Sequence, residues 1–290
     1  MTRLRAALLG GLGIVLLGVL WELYKAVGPT AGFEAFGLQL LPRTSDLAMP
    51  HLWSMLQRAL APVNSGVDSQ PVWLAVALAC LSSLGTAAVG LAVGAVVGIA
   101  LALVMLRFRL AESAVLPWLI LSQTVPLIAL APVIVSWGGR VHIGEFEWQR
   151  WMSVAVIASY LAFFPIAVGA LRGLQSPTVA QTELMHSFAA GWWRTLVHLR
   201  LPASVPYLIP AVRLGAASAI IGTVVAEVST GAKGGIGRLI IEYAQSGSSD
   251  PSKAFSPIAG AVVMGLAAAG IVAIVALTLG RFRRNEEVAA

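Results

Sequence analysis

From Ser69 to Leu106 the chain carries no charged residue. The apolar part of that run begins at Val72, and it exceeds the roughly 20 residues that cross a bilayer perpendicularly. It therefore either tilts or starts as an interfacial piece before crossing. Further charge-poor runs follow the same pattern: Ala6–Trp21 (extendable to about Ala26), Ser113–Gly139, Trp151–Leu171, Val205–Ala226 and Ala254–Gly280. Only Arg213 interrupts the fifth of the six runs. Overall 58% of residues are hydrophobic and 11% charged, against about 25% charged in a soluble domain. The expectation is an all-α polytopic membrane protein of six transmembrane helices. Arg3 and Arg5 ahead of Ala6 resemble the start of a signal peptide. With five more spans following and no convincing small-residue cleavage site, a retained first helix is the reading.

Loop charge gives an orientation. With both termini cytoplasmic, the inner segments hold eleven basic residues, including Arg3, Arg5, Arg107, Arg109, Arg172, Arg194 and Arg200, against four acidic ones. Eight basic residues lie on the other side. The positive-inside bias thus favours an even number of spans with both ends in the cytoplasm, as in a multi-pass bacterial inner-membrane protein. The formal charge is +6, but the basic residues are scattered singly or in pairs, which excludes a nucleic-acid face as partner. Cys80 is the single cysteine and reads as a core thiol. The expected divisions are 1–27, a first transmembrane helix; 28–71, an outer segment; 72–280, a five-helix core; and 281–290, a cytoplasmic tail. The outer segment contains MPHLWSMLQRAL, whose apolar residues Leu52, Met55, Leu56, Ala59 and Leu60 fit either a short amphipathic surface helix or a plain packed connector.

Gly90, Gly94 and Gly98 make a small-residue stripe along the second span, suited to a close helix crossing within or between subunits. The third span contains Pro117, Pro126 and Pro132 and is expected to be bent or interrupted. Beside these prolines Gln123 and Thr124 either re-satisfy freed carbonyls or face a solute path. Such a broken helix also serves a protein that changes shape to move solute. Glu227, before the turn STGAKGGIG, reads either as a boundary carboxylate paired with Lys233 or Arg238, or as a gating residue. Pro126, Pro132 and Glu227 join Gln123 and Thr124 as candidates for the path or gate.

Between the fourth and fifth spans lies ELMHSFAAGWWRTLVHLRLP, residues 183–202. Ser176 followed by Pro177 suggests a helix start. Leu184 and Phe188 then share a face, Gly191 permits a turn, and a second short helix runs from Trp192 to about Leu201-Pro202. The result is a knob with Glu183, His186, Arg194 and His198 around an apolar ridge. It suits either an interfacial position or a protein socket. His186 and His198, twelve residues apart without a nearby cysteine, make a poor metal motif, so no metal is assigned.

This stretch resembles the loop of membrane subunits of ATP-binding-cassette importers, in which Glu-Ala-Ala, a later Gly and Ile-x-Leu-Pro recur at fixed spacing. Glu183 and Leu201-Pro202 match. Leu184 and Met185 replace the alanines, Ala189 the glycine and Leu199 the isoleucine. With Ala189 in place, the first short helix is expected to run further, until Gly191 turns it. SQTVPLIALAPVIVSWG (122–138), FFPIAVGALRGLQS (163–176), LPASVPYLIPAVRLG (201–215) and IGTVVAEVSTGAKGGIGRLI (221–240) are similar to permeases of the nitrate/sulfonate/taurine/bicarbonate branch. That branch also holds riboflavin and thiamine-precursor pyrimidine permeases.

The resemblance implies a type I ABC importer permease fold and a homodimer or a pair with a near relative. It also implies two cytoplasmic ATPase subunits gripping segment 177–202 through Glu183, Leu184, Phe188, Gly191, Trp192, Leu201 and Pro202, and an extracytoplasmic solute-binding protein. The chain has no phosphate-binding loop of the GxxxxGK[ST] kind, so it is not an enzyme and binds no cofactor itself. ATP and Mg would sit on the partner ATPase subunits. An ion-coupled secondary carrier would instead need ionisable groups at the midplane, which the spans lack.

Overall fold

The computed structural model describes residues 3–35, 38–66 and 69–278, which fold into eleven helices, one π-helical turn and two small hairpins. The chain divides into two compact units, Met1–Leu78 with Leu239–Gly260, and Ala79–Arg238 with Ala261–Ala290. The tail expected at 281–290 lies outside the described residues.

The first unit begins with α1 (Arg3–Val27). Then come the antiparallel strands β1 (Phe33–Ala35) and β2 (Leu38–Leu41), and the amphipathic α2 (Leu52–Leu60). Polar groups in the last two turns of α1 hold the segment that follows. The Trp21 indole N–H donates to Pro50 O at 3.1 Å, and Lys25 Nζ donates to Thr44 O at 3.1 Å and to Asp46 at 2.7 Å. Lys253 from the returning segment donates to Val63 O at 2.9 Å and stands over the Tyr243 ring, while Phe255 meets Trp21 edge-on.

The second unit holds most of α3 (Val72–Arg107), followed by α4 (Arg109–Ser122) and α5 (Leu127–Gly138). A two-residue hairpin, β3 (His142–Ile143) and β4 (Phe146–Glu147), turns at Gly144, whose φ of 61° suits glycine. Next are α6 (Arg150–Gln175), α7 (Val179–Ser187) and the single turn α8 (Trp192–Thr195). The π-helical turn Leu196–Arg200 then leads without a break into α9 (Leu201–Thr230). The chain closes with α10 (Ile236–Gln245) and α11 (Pro251–Thr278).

Among the described residues five helices are long and apolar enough to cross a membrane: Leu9–Val27, Val72–Arg107, Arg150–Gln175, Trp192–Thr230 and Pro251–Ile274. The expected third span is not one helix but two, α4 and α5, bent by 100° at their junction. Counted as one broken span it is the sixth. The protein is a mostly helical, polytopic membrane protein, and its two hairpins depart from a purely α expectation.

Close contacts set the packing of the second unit. A Cβ on Gly90 would stand 2.5 Å from Ala158 Cβ; one on Gly94, 2.9 Å from Ser159 O; one on Gly98, 2.7 Å from Phe163 O. Backbone therefore meets backbone where α3 crosses α6. The α6–α9 crossing uses the same device: a Cβ on Gly169 would lie 2.3 Å from Ala211 Cβ, and one on Gly173 2.9 Å from Ser204 Cα. Small residues allow this approach in a lipid solvent that gives helices no hydrophobic reason to associate. Below these crossings Met105, Leu119, Leu171, Leu174 and Leu196 form a buried cluster.

Candidate functional site

The segment between α6 and α9 is built from two short helices at a turn. Its first helix is not capped by Ser176, which ends α6 and bonds back to Gly173 O at 2.8 Å. The cap is Thr178. Its hydroxyl accepts the Gln181 N–H, and the Gln181 side chain accepts the Thr178 N–H, a reciprocal capping box. The Thr-x-x-Gln spacing is legible in the sequence, directly after Ser176-Pro177.

The first short helix stops at Ser187, with Phe188 at its C-cap. It does not run on to Gly191 as expected. Ala189 itself takes the left-handed conformation that turns the chain, with φ of 52°. An L side chain there costs roughly 1–2 kcal/mol, and this is the position where the resembled loop has glycine. Gly191 instead sits in extended backbone as the N-cap of the next helix.

The second short helix was expected to stop at Leu201-Pro202, but helix continues from Trp192 to Thr230. Pro202 lacks the N–H for an i→i−4 bond and crowds the carbonyl behind it. The turn ahead of it relaxes to π-helical spacing, with the Leu201 N–H reaching Leu196 O five residues back. That accommodates the proline without ending the helix.

Exposure divides the expected contact residues. Leu184 is 57% exposed, Phe188 73% and Trp193 71%; Glu183, His186 and Arg194 are exposed beside them. Trp192, by contrast, turns inward onto the buried cluster, its ring 5.5 Å from the Arg107 guanidinium. Leu201 and Pro202, the first two residues of α9, are exposed. Trp193 and Val179, 73% exposed, add to the apolar surface, and the sequence alone did not single them out.

A second feature centres on the α4–α5 break. Pro126 caps α5 in extended backbone, whereas Pro117 and Pro132 are accommodated inside their helices. Thr124 Oγ1 donates to Leu121 O at 2.8 Å, a carbonyl that already accepts the Thr124 N–H at 3.0 Å, whereas Ser122 O, four residues before Pro126 and so without its helical donor, accepts the Tyr160 hydroxyl from α6. Gln123 instead lines a cavity of about 490 Å³ between α6 and α9, together with Phe164, Arg172, Tyr207 and Ser218. The Gln123 amide nitrogen donates to Ser122 Oγ at 3.2 Å, which leaves its carbonyl oxygen available as an acceptor.

Glu227 is 4% exposed, near the end of α9. Its bonds differ from the ion pair expected with Lys233 or Arg238, and Lys233 is exposed. Ser83 Oγ of α3 lies 2.8 and 2.9 Å from the two carboxylate oxygens, and the Gly237 N–H donates to Oε2 at 2.9 Å. Ser83 Oγ in turn accepts the Ile236 N–H at 2.9 Å. The carboxylate and the hydroxyl thus cap the first two amides of α10, where the helix dipole favours negative charge. Gly235 lets the loop close over the carboxylate, since a Cβ there would stand 2.1 Å from it. Among the described residues no group of three or more His, Cys, Asp or Glu side chains could hold a metal ion.

A helical membrane bundle with a broken span, a lined cavity beside it and a protruding pair of short helices is the architecture of a transport subunit. The chain belongs to the family of binding-protein-dependent transport system inner membrane components, whose model matches residues 94–284. It is 30% identical to the formylaminopyrimidine transport permease protein ThiX of Halalkalibacterium halodurans over 237 residues, 82% of this chain and 81% of the relative. A riboflavin transport system permease protein, RibX of Chloroflexus aurantiacus, is 31% identical over 46% of each chain. A Bacillus subtilis chain assigned to aliphatic sulfonate transport is 25% identical over 71% of this chain and 70% of the relative. The protein is therefore a non-catalytic, multi-pass inner-membrane permease subunit of an ABC transporter.

Proposed function

We propose that two copies of this chain form the solute path of an ATP-driven importer whose cargo is a small planar heterocycle of the formylaminopyrimidine kind. The observation that carries the cargo is the 30% identity to a formylaminopyrimidine permease, which extends over four fifths of both chains; the riboflavin permease is a further heterocycle relative. Within the nitrate/sulfonate/taurine/bicarbonate branch, this is the vitamin-precursor side. The cavity supports the reading: its lining includes the aromatic residues Phe164 and Tyr207, and Gln123 offers an acceptor for an amino group.

In this reading both termini are cytoplasmic. Two ATPase subunits carrying ATP and Mg²⁺ grip the exposed ridge of Leu184, Phe188 and Trp193, and a solute-binding protein docks on the opposite side. Motion of the ATPase subunits reaches the bundle through helix. Trp192–Thr230 is one continuous helix of 39 residues, about 58 Å long at 1.5 Å per residue. A displacement at Trp193 is therefore delivered along α9 past the cavity to Glu227 and the α10 cap. That is a two-state bias of the kind alternating access requires. Gln123, Thr124, Pro126 and Pro132 then serve as path or hinge positions, and Glu227 as a latch.

The test is uptake by proteoliposomes holding the assembled complex and its binding protein. Labelled formylaminopyrimidine should accumulate with ATP and should not be displaced by taurine or alkanesulfonate. One observation favours a second reading. Arg172 places a cation in the cavity lining, which an organic sulfonate would use. Sulfonate uptake that Arg172→Gln abolishes would establish that reading and overturn the first.

A further inference from the structure

We infer that α2 seats its uncharged face in the lipid leaflet at the C-terminal end of α1, so that the outer segment is anchored by the bilayer itself. Three observations within the first unit lead there.

The start of α2 is fixed to a membrane span. His51, at its N-cap, makes no side-chain cap bond. The cap comes from α1: Glu22 Oε1 accepts the Leu52 N–H at 2.7 Å, and Oε2 lies 2.8 Å from His51 Nδ1. Glu22 stands five residues before the end of α1, about 7.5 Å along the axis. The short helix thus departs close to where the span leaves the hydrocarbon.

The two faces of α2 differ. Ser54, Met55, Arg58 and Ala59 are half-buried; Arg58 pairs with Asp250 and donates to Pro62 O at 2.9 Å, and Ser54 Oγ meets Ser252 Oγ at 3.4 Å. The opposite face carries Trp53, Leu56 and Leu60, 61%, 66% and 66% exposed, with Leu52 and Gln57 at its margins. No charge lies on it.

That face is continuous with a lipid-facing surface. α1 exposes Ile14 and Val15, one turn before Gly18 on the same face, and Leu52 Cδ1 lies 3.4 Å from the Cβ position of Gly18. The apolar belt of the span therefore runs onto α2 without a polar gap. A tryptophan at headgroup level with leucines below is the composition of an interfacial helix. A protein partner would be met by a polar rim and charge complementarity, and this face offers one glutamine.

The experiment uses the full chain, assembled and reconstituted in phospholipid vesicles. In a Cys80→Ala background, nitroxide labels are placed singly at Leu56→Cys, Leu60→Cys and Arg43→Cys. Accessibility to oxygen and to a water-soluble nickel chelate is then measured. Labels at 56 and 60 should favour oxygen several-fold over the label at 43, and adding the soluble binding protein should not change them. Labels at 56 and 60 that match 43 in nickel access overturn the inference, as do labels that become protected only with the binding protein. Should a label at 56 disturb assembly, Gln57→Cys at the margin of the same face gives the same readout. The result is independent of which solute is carried.

Discussion

The cap of α10 can be dissected by one substitution that never touches its hydrogen-bonding atoms. In Gly235→Ala the new Cβ would stand 2.1 Å from the Glu227 carboxylate carbon and from Oε1, less than any real contact. The loop is enclosed, so the carboxylate must swing away. It then loses the Gly237 N–H and Ser83 Oγ, each within 2.9 Å. A hydrogen bond to a charged group contributes roughly 1.5–3 kcal/mol, and a buried amide left without a partner costs about 1–3 kcal/mol. A total near 3 kcal/mol is expected. Glu227→Ala should cost a similar amount alone. In that background the space beside residue 235 is vacant and its φ is not left-handed. Gly235→Ala should then be neutral, or stabilise by a few tenths of a kcal/mol through the unfolded chain.

The two substitutions should therefore be coupled by about 2–3 kcal/mol in a double-mutant cycle. At roughly 2–4 °C per kcal/mol for a chain of this size, either single variant should melt about 6–12 °C below the wild type at a fixed scan rate in detergent. The double variant should melt no lower than Glu227→Ala. Penalties that simply add would refute the capping role, because the steric cost of Gly235→Ala would then not pass through the carboxylate.

Ala189→Gly should raise the melting midpoint by an amount equivalent to about 1 kcal/mol, because it removes the strain of a left-handed alanine; a lowered midpoint would exclude that conformation. Gly94→Val should lower stability by about 1–3 kcal/mol by forcing α3 from α6, whereas Gly85→Ala, with nothing within 4 Å of its Cβ position, should not lower the midpoint and should raise it slightly through helix propensity. The Lys25 ammonium, by hydrogen bond and charge, holds the Asp46 carboxyl below the usual aspartate range. Its stabilisation is complete above that usual value and is lost as pH falls through the lowered one. The midpoint difference between wild type and Asp46→Asn should accordingly be constant near neutrality and vanish in strong acid.

Charge-free runs made the spans legible because lipid as solvent leaves few alternatives for apolar sequence. The Pro126 break was legible for the same reason, since a missing donor beside a proline must be answered locally. What the sequence hid were choices settled by neighbours. Whether a helix ends at Leu201-Pro202 depends on whether the preceding turn can widen to π spacing, and a Leu-Pro pair looks alike in both cases. The partners of Glu227 come from Ser83, 144 residues away, and from backbone amides that carry no sequence signature. The inward turn of Trp192 and the exposure of Trp193 follow from where the Gly191 cap sets the helical phase. Adjacent tryptophans give no hint of which one will face out.

The central claim is that the protruding pair of short helices engages an ATPase partner. Single cysteines at Leu184, Phe188 and Trp193, in a Cys80→Ala chain assembled with the ATPase subunits, allow a direct test by short-range crosslinking with and without nucleotide. Crosslinks to the ATPase from all three positions, changing in yield when ATP binds, are the expected result. Crosslinks only to phospholipid, indifferent to nucleotide, would contradict it.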